Sequence, residues 1–584
     1  MKRNGLNIAG RLGILVNAGL IALTILAIVK SCFISFDIDE AYAIAQSYRL
    51  TIGDHMFLEM WEPHQMSAFG AALFMVPYLA VTGGNTDGIV LYLRIVGTIL
   101  HLLIGCGFYR AAKAKFDKQS ALFVSLLHIN FLPKWISMPE FEIMQYWSVC
   151  LLFLCFLYWN EHQNRKRADW VLFAAGTALF VCLMTYPTML LLYPVYVWAL
   201  YKLCVGDART KLQKIAVFTS APLLLGILFL AYVFSYMSVS KLVESIRYIF
   251  MDTSHSMKLS DRMYFYGQEL VTFFPKLLGP VLILAVVLFL CKKKKVLKAQ
   301  TTQSYILWGL LLLIGYFGIH HIWNSIFKDV NQFYLYFRFT IVALAGMVVL
   351  GLQKKRNSVY WLVGIVPGAV GVLASILVTN MTLEIAMARL YIAVPATFFV
   401  MREYGKEIAA EETIIKYTAR ITSILFLGTL LVSKLILIRI TGCIPVTIRA
   451  ELDLVKVGPA KGIYVKTELA QQFNENHEII EQSIREGDRL LYFGCENLYY
   501  LSAEKTVPAT PSVLTTAVFD ELFLAYYEEH PERIPNVVIV DKMFPVNGLY
   551  RYSAKNQIVL DWIEEEFADA KVVETNYFTI LRKE

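Results

Sequence analysis

Apolar runs long enough to cross a lipid bilayer recur along the first three quarters of the chain, and short polar loops separate them. Because a spanning helix needs about 20 predominantly apolar residues, the pattern predicts an α-helical polytopic membrane protein with about thirteen spans. The predicted spans are Leu12–Val29, Ile89–Tyr109, Ser120–Ile136, Ile143–Trp159, Trp170–Thr185, Met189–Leu203, Ile215–Tyr236, Leu270–Cys291, Ser304–Trp323, Phe339–Leu352, Val359–Thr379, Ile385–Met401 and Ile421–Leu437.

One further apolar run, Met66–Val81, is predicted to re-enter the membrane or to lie at its outer surface. The turn Gly83-Gly84-Asn85 follows it without a basic residue. If this run were a full span, the basic cluster of residues 110–118 would lie outside. Lys and Arg of short loops stay mostly in the cytoplasm, which argues against that arrangement.

The last quarter of the chain changes character and becomes polar, with both signs of charge. Strand-like runs alternate there with helical patterns, which predicts a small α/β domain. We expect a transmembrane domain over residues 1–438 and an α/β domain over residues 439–584. The predicted strands are Arg489–Phe493, Asn536–Val540 and Lys571–Leu581, and the predicted helices are Glu468–Glu486, Val518–Glu529 and Ala554–Phe567. No phosphate-binding glycine motif occurs in this region, so a packing or acceptor-docking role is expected for it.

The composition agrees with a membrane protein. Hydrophobic residues make up 57% of the chain and charged residues 17%, with a mean hydropathy of +0.53. Soluble domains usually carry about 25% charged residues. The net charge of +8 does not indicate a nucleic-acid partner, because most basic residues lie in short loops.

The basic loops alternate along the chain with loops that contain almost no Lys or Arg. This asymmetry predicts a cytoplasmic N-terminus, with the loop 31–88 and the tail after Leu437 on the outer side. The basic loops contain Lys2 and Arg3, Arg110–Lys118, Arg165–Arg167, Arg209–Lys214, Lys292–Lys298, Lys354–Arg356 and Arg402–Arg420.

An acidic segment, residues 36–69, follows the first predicted span and extends into the beginning of the run Met66–Val81. Asp37, Asp39 and Glu40 come shortly after the first span, and Glu62 and His64 come just before the next apolar run. Carboxylates this close to hydrocarbon are costly unless they are paired, bind a metal or face a wet cavity. The segment is therefore the candidate functional site.

The order of motifs in this segment resembles the membrane-embedded GT-C glycosyltransferases. Asp39-Glu40 matches their Asp-Glu pair, Gly53-Asp54 their Gly-Asp turn, and Glu62-Pro63-His64 their Glu-Lys-Pro or His-Pro-Pro element. The pattern looks like that of protein O-mannosyltransferases and lipid A aminoarabinose transferases. It is strongest over residues 36–110 and continues as topology to about residue 440. The sequence departs from this pattern in two ways. The Glu62-Pro63-His64 element lacks the lysine or second proline of the relatives, and the second outer loop has the glutamates Glu140 and Glu142 where relatives often have aspartate.

The resemblance implies transfer of a sugar from a polyprenyl-phosphate donor to a protein, lipid or glycopolymer acceptor. In the family the Asp of the Asp-Glu pair is the base, which implies Asp39 here, with Glu40 as its partner. Asp37 is the fallback. Either Glu140 or Glu142 would correspond to the acid of the second outer loop.

The departing phosphate also needs positive charge. One source would be a divalent metal, Mn, Mg or Zn, held by Glu62 with His64 or His255. The other source would be the outer cations Arg247, Lys258, Arg262 and Arg338, and Arg grips phosphate with a planar fork.

Two rival functions use the same lipid-linked sugars. A transporter or flippase is expected to show repeated halves and broken spans near the midplane. A polysaccharide polymerase or ligase would concentrate its basic residues in a large late outer loop. The sequence has no evident internal repeat, and its acidic cluster lies early and at one membrane face.

Overall fold

The protein is described from a computed structural model. The structure describes residues 8–35, 37–133, 137–165, 167–249, 257–298, 301–327, 333–353, 358–378, 382–408, 412–440, 444–447, 451–494, 496–502, 506–513, 521–542 and 554–583.

Among the described residues before residue 437, the regular elements are helices, as the apolar pattern predicts. They are α1 (Ile8–Phe33), α2 (Ile38–Thr51), α3 (Ala68–Thr82), α4 (Ile89–Lys115), α5 (Lys118–Asn130), α6 (Phe141–Glu161), α7 (Ala168–Thr185), α8 (Leu192–Leu203), α9 (Ala208–Val233), α10 (Val239–Ile249), α11 (Leu259–Lys293), α12 (Thr302–Phe327), α13 (Phe333–Gln353), α14 (Val366–Ile376), α15 (Leu383–Ala386), α16 (Ala393–Ile408) and α17 (Thr413–Ile436).

Among the described residues, eleven helical stretches are long and apolar enough to cross a membrane. Ten of them coincide with predicted spans, and the eleventh is Gln65–Thr82. The chain is therefore an integral membrane protein by the length and composition of its helices. Gln65–Thr82 has 18 residues, near the lower limit of about 17 for a span. The interfacial position of this run stays a prediction.

Three predicted spans are shorter in the structure than the sequence pattern suggested. The helix α5 has 13 residues and ends before Pro133, and α8 has 12 residues after a 3₁₀ turn that begins at Pro187. The stretch after Tyr360 starts as a π turn and continues as α14, and Pro367 is the second residue of α14. Proline has no backbone N–H and disfavours helix in the residue before it, which explains why these helices are interrupted.

The end of the chain contains the predicted α/β structure. Its helices are α18 (Thr467–Ser483), α19 (Glu521–Glu529) and α20 (Ala554–Glu566). Its strands are β1 (Leu437–Ile440), β2 (Ile444–Thr447), β3 (Leu452–Leu454), β4 (Tyr464–Lys466), β5 (Arg489–Phe493), β6 (Val507–Pro508), β7 (Val537–Asp541), β8 (Lys571–Glu574) and β9 (Phe578–Arg582).

One five-stranded sheet has the order β6-β5-β7-β9-β8. The strand β5 pairs in parallel with β6 and β7, whereas β9 runs antiparallel to β7 and β8. The predicted strand Lys571–Leu581 is thus a hairpin. The other two predicted strands and the three predicted helices have counterparts in β5, β7, α18, α19 and α20, within a few residues.

The α/β region packs on the acidic segment. Trp61 is 1% exposed and shares one apolar cluster with Leu491 and Phe493 of β5 and with Phe523 and Tyr526 of α19. Its backbone N–H donates to the carbonyl of Pro511 at 2.9 Å. A side chain of the acidic segment is therefore part of the core of the α/β region.

Candidate active site

The candidate active site begins at the first turn of α2, where three carboxylates follow one another. Asp37 caps the helix, since its side chain accepts a hydrogen bond from the N–H of Asp39 at 3.0 Å. Asp is a favoured residue at this position because its carboxylate binds an N–H that the helix leaves unpaired. Asp37 and Glu40 are 1% and 2% exposed, whereas Asp39 is half-buried.

Glu40 is paired with Arg94 of α4 in a two-pronged contact. Arg94 donates from Nε and Nη2 to the two carboxylate oxygens, at 2.7 and 2.6 Å, and its side chain is fully buried. Its Nη1 donates to the carbonyl of Cys32, near the end of α1, and its Nη2 also donates to the carbonyl of Ser35, just after α1. Glu40 and Arg94 therefore hold the start of α2 against α1 and α4.

A second buried arginine, Arg49, organises the other end of α2. It donates from Nε to Asp54 at 2.7 Å, from Nη1 to Glu62 at 2.9 Å and from Nη2 to the carbonyl of Glu59 at 2.7 Å. Arg49 and Glu62 have side chains with no exposed surface. Arg533 of the α/β region contacts the second oxygen of Asp54 at 2.8 Å. These residues, which we call the Arg49 cluster, join the acidic segment to the α/β region.

Burial changes the proton affinity of both paired glutamates outside the spans. Desolvation raises the pKa of Glu40, while Arg94 acts in the opposite direction. Desolvation likewise raises the pKa of Glu62, and Arg49 opposes it. A buried carboxyl disfavours its charged form, and each arginine offsets part of that cost for its glutamate.

Glu140 and Glu142 form a separate acidic group at the start of α6. Glu140 caps this helix and accepts from the N–H groups of Glu142 and Ile143, at 3.0 and 2.7 Å. Glu142 contacts Arg389 at 3.4 Å. Arg389 also donates to Ser375 at 3.2 Å and is 8% exposed.

Three motif segments that the resemblance singled out come together in the fold. Tyr42, one turn after Asp39 in α2, donates to the carbonyl of Pro63 at 3.4 Å. The ring of His64 stacks on Phe141, with 4.2 Å between ring centroids and 4° between planes. Phe141 lies between Glu140 and Glu142, so α2, the Glu62-Pro63-His64 element and the second acidic loop are neighbours.

The residues predicted to bind a metal contact different groups. Glu62 faces Arg49, and His64 lies with Nδ1 3.4 Å from the carbonyl of Thr185. His255 lies outside the described residues. Within the described part of the chain, no three His, Cys, Asp or Glu side chains are grouped to hold a metal ion. The metal stays a prediction, and the contact with Arg49 is the role that the geometry gives to Glu62.

The predicted phosphate-binding cations differ in exposure. Arg247 and Lys258 are exposed, and Arg247 contacts the hydroxyl of Tyr248 at 3.3 Å. Arg262 is buried and donates to the carbonyl of Leu377. Arg338 is buried and lies 3.1 Å from a ring nitrogen of His320. A role in binding phosphate stays a prediction for all four.

Sequence reasoning missed the cations that organise the site. Arg49 lies in the loop 31–88, which contains almost no other basic residue, and Arg94 and Arg389 lie within the predicted spans Ile89–Tyr109 and Ile385–Met401. The signal was present, because a charged residue within a hydrophobic run is costly and usually has a partner or a function.

No protein-family model matches the sequence, and no curated protein matches it. Among solved structures, the archaeal oligosaccharyltransferase AglB from Archaeoglobus fulgidus, in complex with an inhibitory peptide and a dolichol-phosphate, is similar at a TM-score of 0.43 and 10% identity. That match covers 97% of this chain and 74% of the other. ArnT from Cupriavidus metallidurans, bound to undecaprenyl phosphate, is similar at a TM-score of 0.40 and 11% identity, covering 98% and 97%.

A third similar structure is an Archaeoglobus fulgidus oligosaccharyltransferase in complex with Zn and sulfate, with a TM-score of 0.39, 10% identity and coverage of 90% and 68%. AglB and ArnT are GT-C glycosyltransferases, the group that the motifs of the acidic segment resemble.

Proposed function

We propose that the protein is a glycosyltransferase that moves a hexosyl or pentosyl group from a polyprenyl-phosphate donor to an acceptor on the outer membrane face. The observation that carries the proposal is the arrangement of three carboxylates at the start of α2. Asp37 caps the helix and Glu40 pairs with Arg94, whereas Asp39 between them is half-buried. Asp37 and Glu40 thus fix the start of the helix, and with it the position of Asp39.

In the proposed reaction Asp39 acts as general base. It takes the proton of an acceptor hydroxyl or amine as that atom attacks the anomeric carbon of the donor sugar. The bond between this carbon and the phosphate oxygen breaks, and its electron pair leaves with the polyprenyl phosphate. One base suffices for this direct displacement, which inverts the anomeric configuration without a covalent intermediate.

The departing phosphate needs a positive group that is in place before the reaction. Arg389 supports this step because it is buried beside Glu142, and the stack of His64 on Phe141 brings that loop next to the acidic segment. Arg262, Arg338, Arg247 and Lys258 are the further candidates. The reaction is derived without a metal ion, because Glu62 is engaged by Arg49.

The proposal includes the orientation of the protein and the division of its chain. Residues 1–438 would form the transmembrane catalytic domain with a cytoplasmic N-terminus, and residues 439–584 an outer domain. A site at the membrane rim receives a polyprenyl donor sideways from the bilayer, whereas nucleotide sugars stay in the cytoplasm. The contact between the α/β region and the Arg49 cluster supports an acceptor that docks on the same face.

The test is to incubate the purified full chain, in phospholipid nanodiscs, with a panel of polyprenyl-phosphate hexoses and pentoses and candidate acceptors. We expect release of polyprenyl phosphate with at least one donor. Asp39→Asn should lower the rate by about 10²–10⁴-fold, the usual contribution of a general base. The matched control is Asp87→Asn, because Asp87 is a half-buried aspartate outside the site that pairs with Lys461.

Near-normal turnover by Asp39→Asn, with the control equally active, would remove Asp39 as the base. If the wild-type chain released no polyprenyl phosphate from any donor, and instead moved the intact donor across the bilayer, the transporter would replace the proposed function.

A further inference from the structure

Two acidic side chains lie where the parallel strands β5 and β7 end. Glu496 follows β5, and Asp541 is the last residue of β7. The connections that leave these adjacent strands lead to opposite edges of the sheet, to β6 and to β8. In open α/β sheets, ligands bind in the crevice outside strand ends of this kind. The α/β region therefore has a candidate ligand site at Glu496 and Asp541.

The ends of the two strands are held closely together. A Cβ atom on Gly494 would clash with the hydroxyl of Tyr492 and lie 2.8 Å from the Cβ of Asp541, so the chain needs glycine there. The hydroxyl of Tyr492 donates to Asp541 at 2.9 Å and accepts from the N–H of Glu496 at 3.4 Å. One hydroxyl group thus joins the two acidic residues.

A buried amide next to Glu496 lacks a partner. Asn497 is 0% exposed, and neither polar atom of its side chain has a hydrogen-bond partner among the described residues. It begins the 3₁₀ turn Asn497–Leu501, in which side chains three residues apart share a face. Tyr500 of that face donates to the carbonyl of Tyr492 at 3.3 Å, so Asn497 is directed toward the end of β5. Buried polar groups are nearly always hydrogen-bonded, so this amide indicates an additional group, a water or a ligand, at the strand ends.

Glu496 is half-buried and has no positive partner in the described part of the chain. Its carboxylate accepts from the N–H of Leu498 at 3.2 Å, and no Lys, Arg or His there forms an ion pair with it. Burial raises the pKa of Glu496 to about 8, and the carboxylates of Asp541 and Glu40 act in the same direction. A positive group brought by a ligand would offset the cost of ionising this carboxyl.

The strand ends lie beside the candidate active site. The turn Asn497–Leu501 packs on α2, and its last carbonyl accepts from the hydroxyl of Thr86 at 2.8 Å. Glu40 is close enough to act on the charge of Glu496 and directly follows Asp39 in the chain. A ligand that contacts Glu496 would therefore be near the start of α2, where the proposed base lies.

We propose that Glu496 and Asp541 bind a primary ammonium group of a substrate. An ammonium has three N–H donors, which match the two carboxylates and the amide oxygen of Asn497. A divalent metal needs more ligands, and no three His, Cys, Asp or Glu side chains of the described residues are grouped to hold one. The inference rests on the proposed function in one respect, namely that the ligand takes part in sugar transfer. The ammonium belongs either to the transferred sugar or to the acceptor, and the experiment separates the two.

The experiment measures binding to the full chain in phosphatidylcholine nanodiscs, as a rise of the thermal unfolding temperature with ligand concentration. The donor probes are undecaprenyl-phosphate glucosamine and its N-acetylated form. The acceptor probes are methyl glucosaminide and methyl N-acetylglucosaminide, and calcium chloride tests for a metal. Glu496→Gln removes the charge and keeps the size and the acceptor for Leu498. The matched control is Glu475→Gln, because Glu475 is an exposed glutamate of α18 in the same region.

We expect the free amine of at least one pair to stabilise the wild type and the control more than its N-acetylated form does. The affinity of Glu496→Gln for that amine should fall by about tenfold or more, since a charge-assisted hydrogen bond is lost. Its affinity for the N-acetylated form should stay unchanged. A loss confined to the lipid-linked amine assigns the ammonium to the transferred sugar, and a loss confined to methyl glucosaminide assigns it to the acceptor.

Equal affinities of Glu496→Gln and the wild type for both amines overturn the inference, as does a wild type that binds neither amine. Stabilisation by calcium that Glu496→Gln abolishes would replace the ammonium with a metal. If Glu496→Gln does not fold, Asp541→Asn serves in its place, because it keeps an acceptor for Tyr492 and removes the other charge. The proposed function fails separately, if the chain binds an amine through Glu496 but transfers no sugar from any donor.

Discussion

The Arg49 cluster offers the sharpest test of how the acidic segment is held. Arg49→Met keeps a long apolar stem but removes the guanidinium donors to Glu62, Asp54 and the carbonyl of Glu59. Asp54 would keep Arg533, whereas Glu62 would keep the longer contacts to Gln46 at 3.3 Å and to the N–H of Val513 at 3.4 Å, together with a hydrogen bond to Tyr42.

The loss can be estimated from the burial of the two partners. Removing one member of a buried ion pair typically costs about 3–5 kcal/mol, because the other charge stays buried without compensation. Glu62 has no exposed side-chain surface, so the full range applies. The double variant Arg49→Met/Glu62→Gln should recover part of this loss, since a neutral amide replaces the isolated carboxylate.

The pH dependence follows from the raised pKa of Glu62. Without Arg49 the pKa of this buried carboxyl rises further, and a group with a raised pKa in the folded state loses stability as the pH increases. The deficit of Arg49→Met should therefore be smaller at pH 5 than at pH 8.

The assay is thermal unfolding of the purified chain followed by tryptophan fluorescence, with limited proteolysis of the α/β region as a second readout. The control, Arg247→Met, removes an exposed arginine of α10 whose one resolved hydrogen bond is to Tyr248, and should change stability by less than about 0.5 kcal/mol. Equal unfolding temperatures for Arg49→Met and the control would refute the reasoning. So would a double variant less stable than the single one.

Two further predictions concern the α/β region and the proposed orientation. Burial raises the pKa of Glu496 to about 8, so wild-type stability should fall as the pH rises from about 4.5 to about 8. Glu496→Gln should flatten that fall in thermal unfolding, and an unchanged pH profile would contradict the role of Glu496. In intact cells an impermeant maleimide should label Glu486→Cys directly and Lys294→Cys only after lysis. The reverse pattern would invert the proposed topology.

The sequence predicted the helical body and the α/β end because both depend on periodic patterns of apolar residues. The strand β5 coincides with the predicted Arg489–Phe493, and ten predicted spans coincide with long apolar helices. The predicted length of a span was wrong where a proline interrupts the helix in spite of high hydropathy. Pro133 and Pro187 interrupt runs that are apolar enough to span but are not continuous helices.

The contacts within the candidate site were less accessible to sequence reasoning. Glu40 and Glu142 could be singled out as acids near hydrocarbon, but their arginine partners are far away in the chain. Glu40 finds Arg94 54 residues later, and Glu142 finds Arg389 247 residues later. A pattern in a single sequence does not indicate such pairings, because they depend on which helices become neighbours.

The insertion of Trp61 into the core of the α/β region has a consequence for biosynthesis. Arg49, in the same segment, contacts Pro511, which is 462 residues further along the chain. At about 5–20 residues per second, a ribosome takes roughly 20 to 90 s to cover that distance. In the proposed orientation the early segment would be on the outer side during that time without the α/β region, so that Arg49 and Trp61 would not yet be covered. Maturation of the protein would then be limited by its final residues, and folding helpers on the outer side would act in the interval.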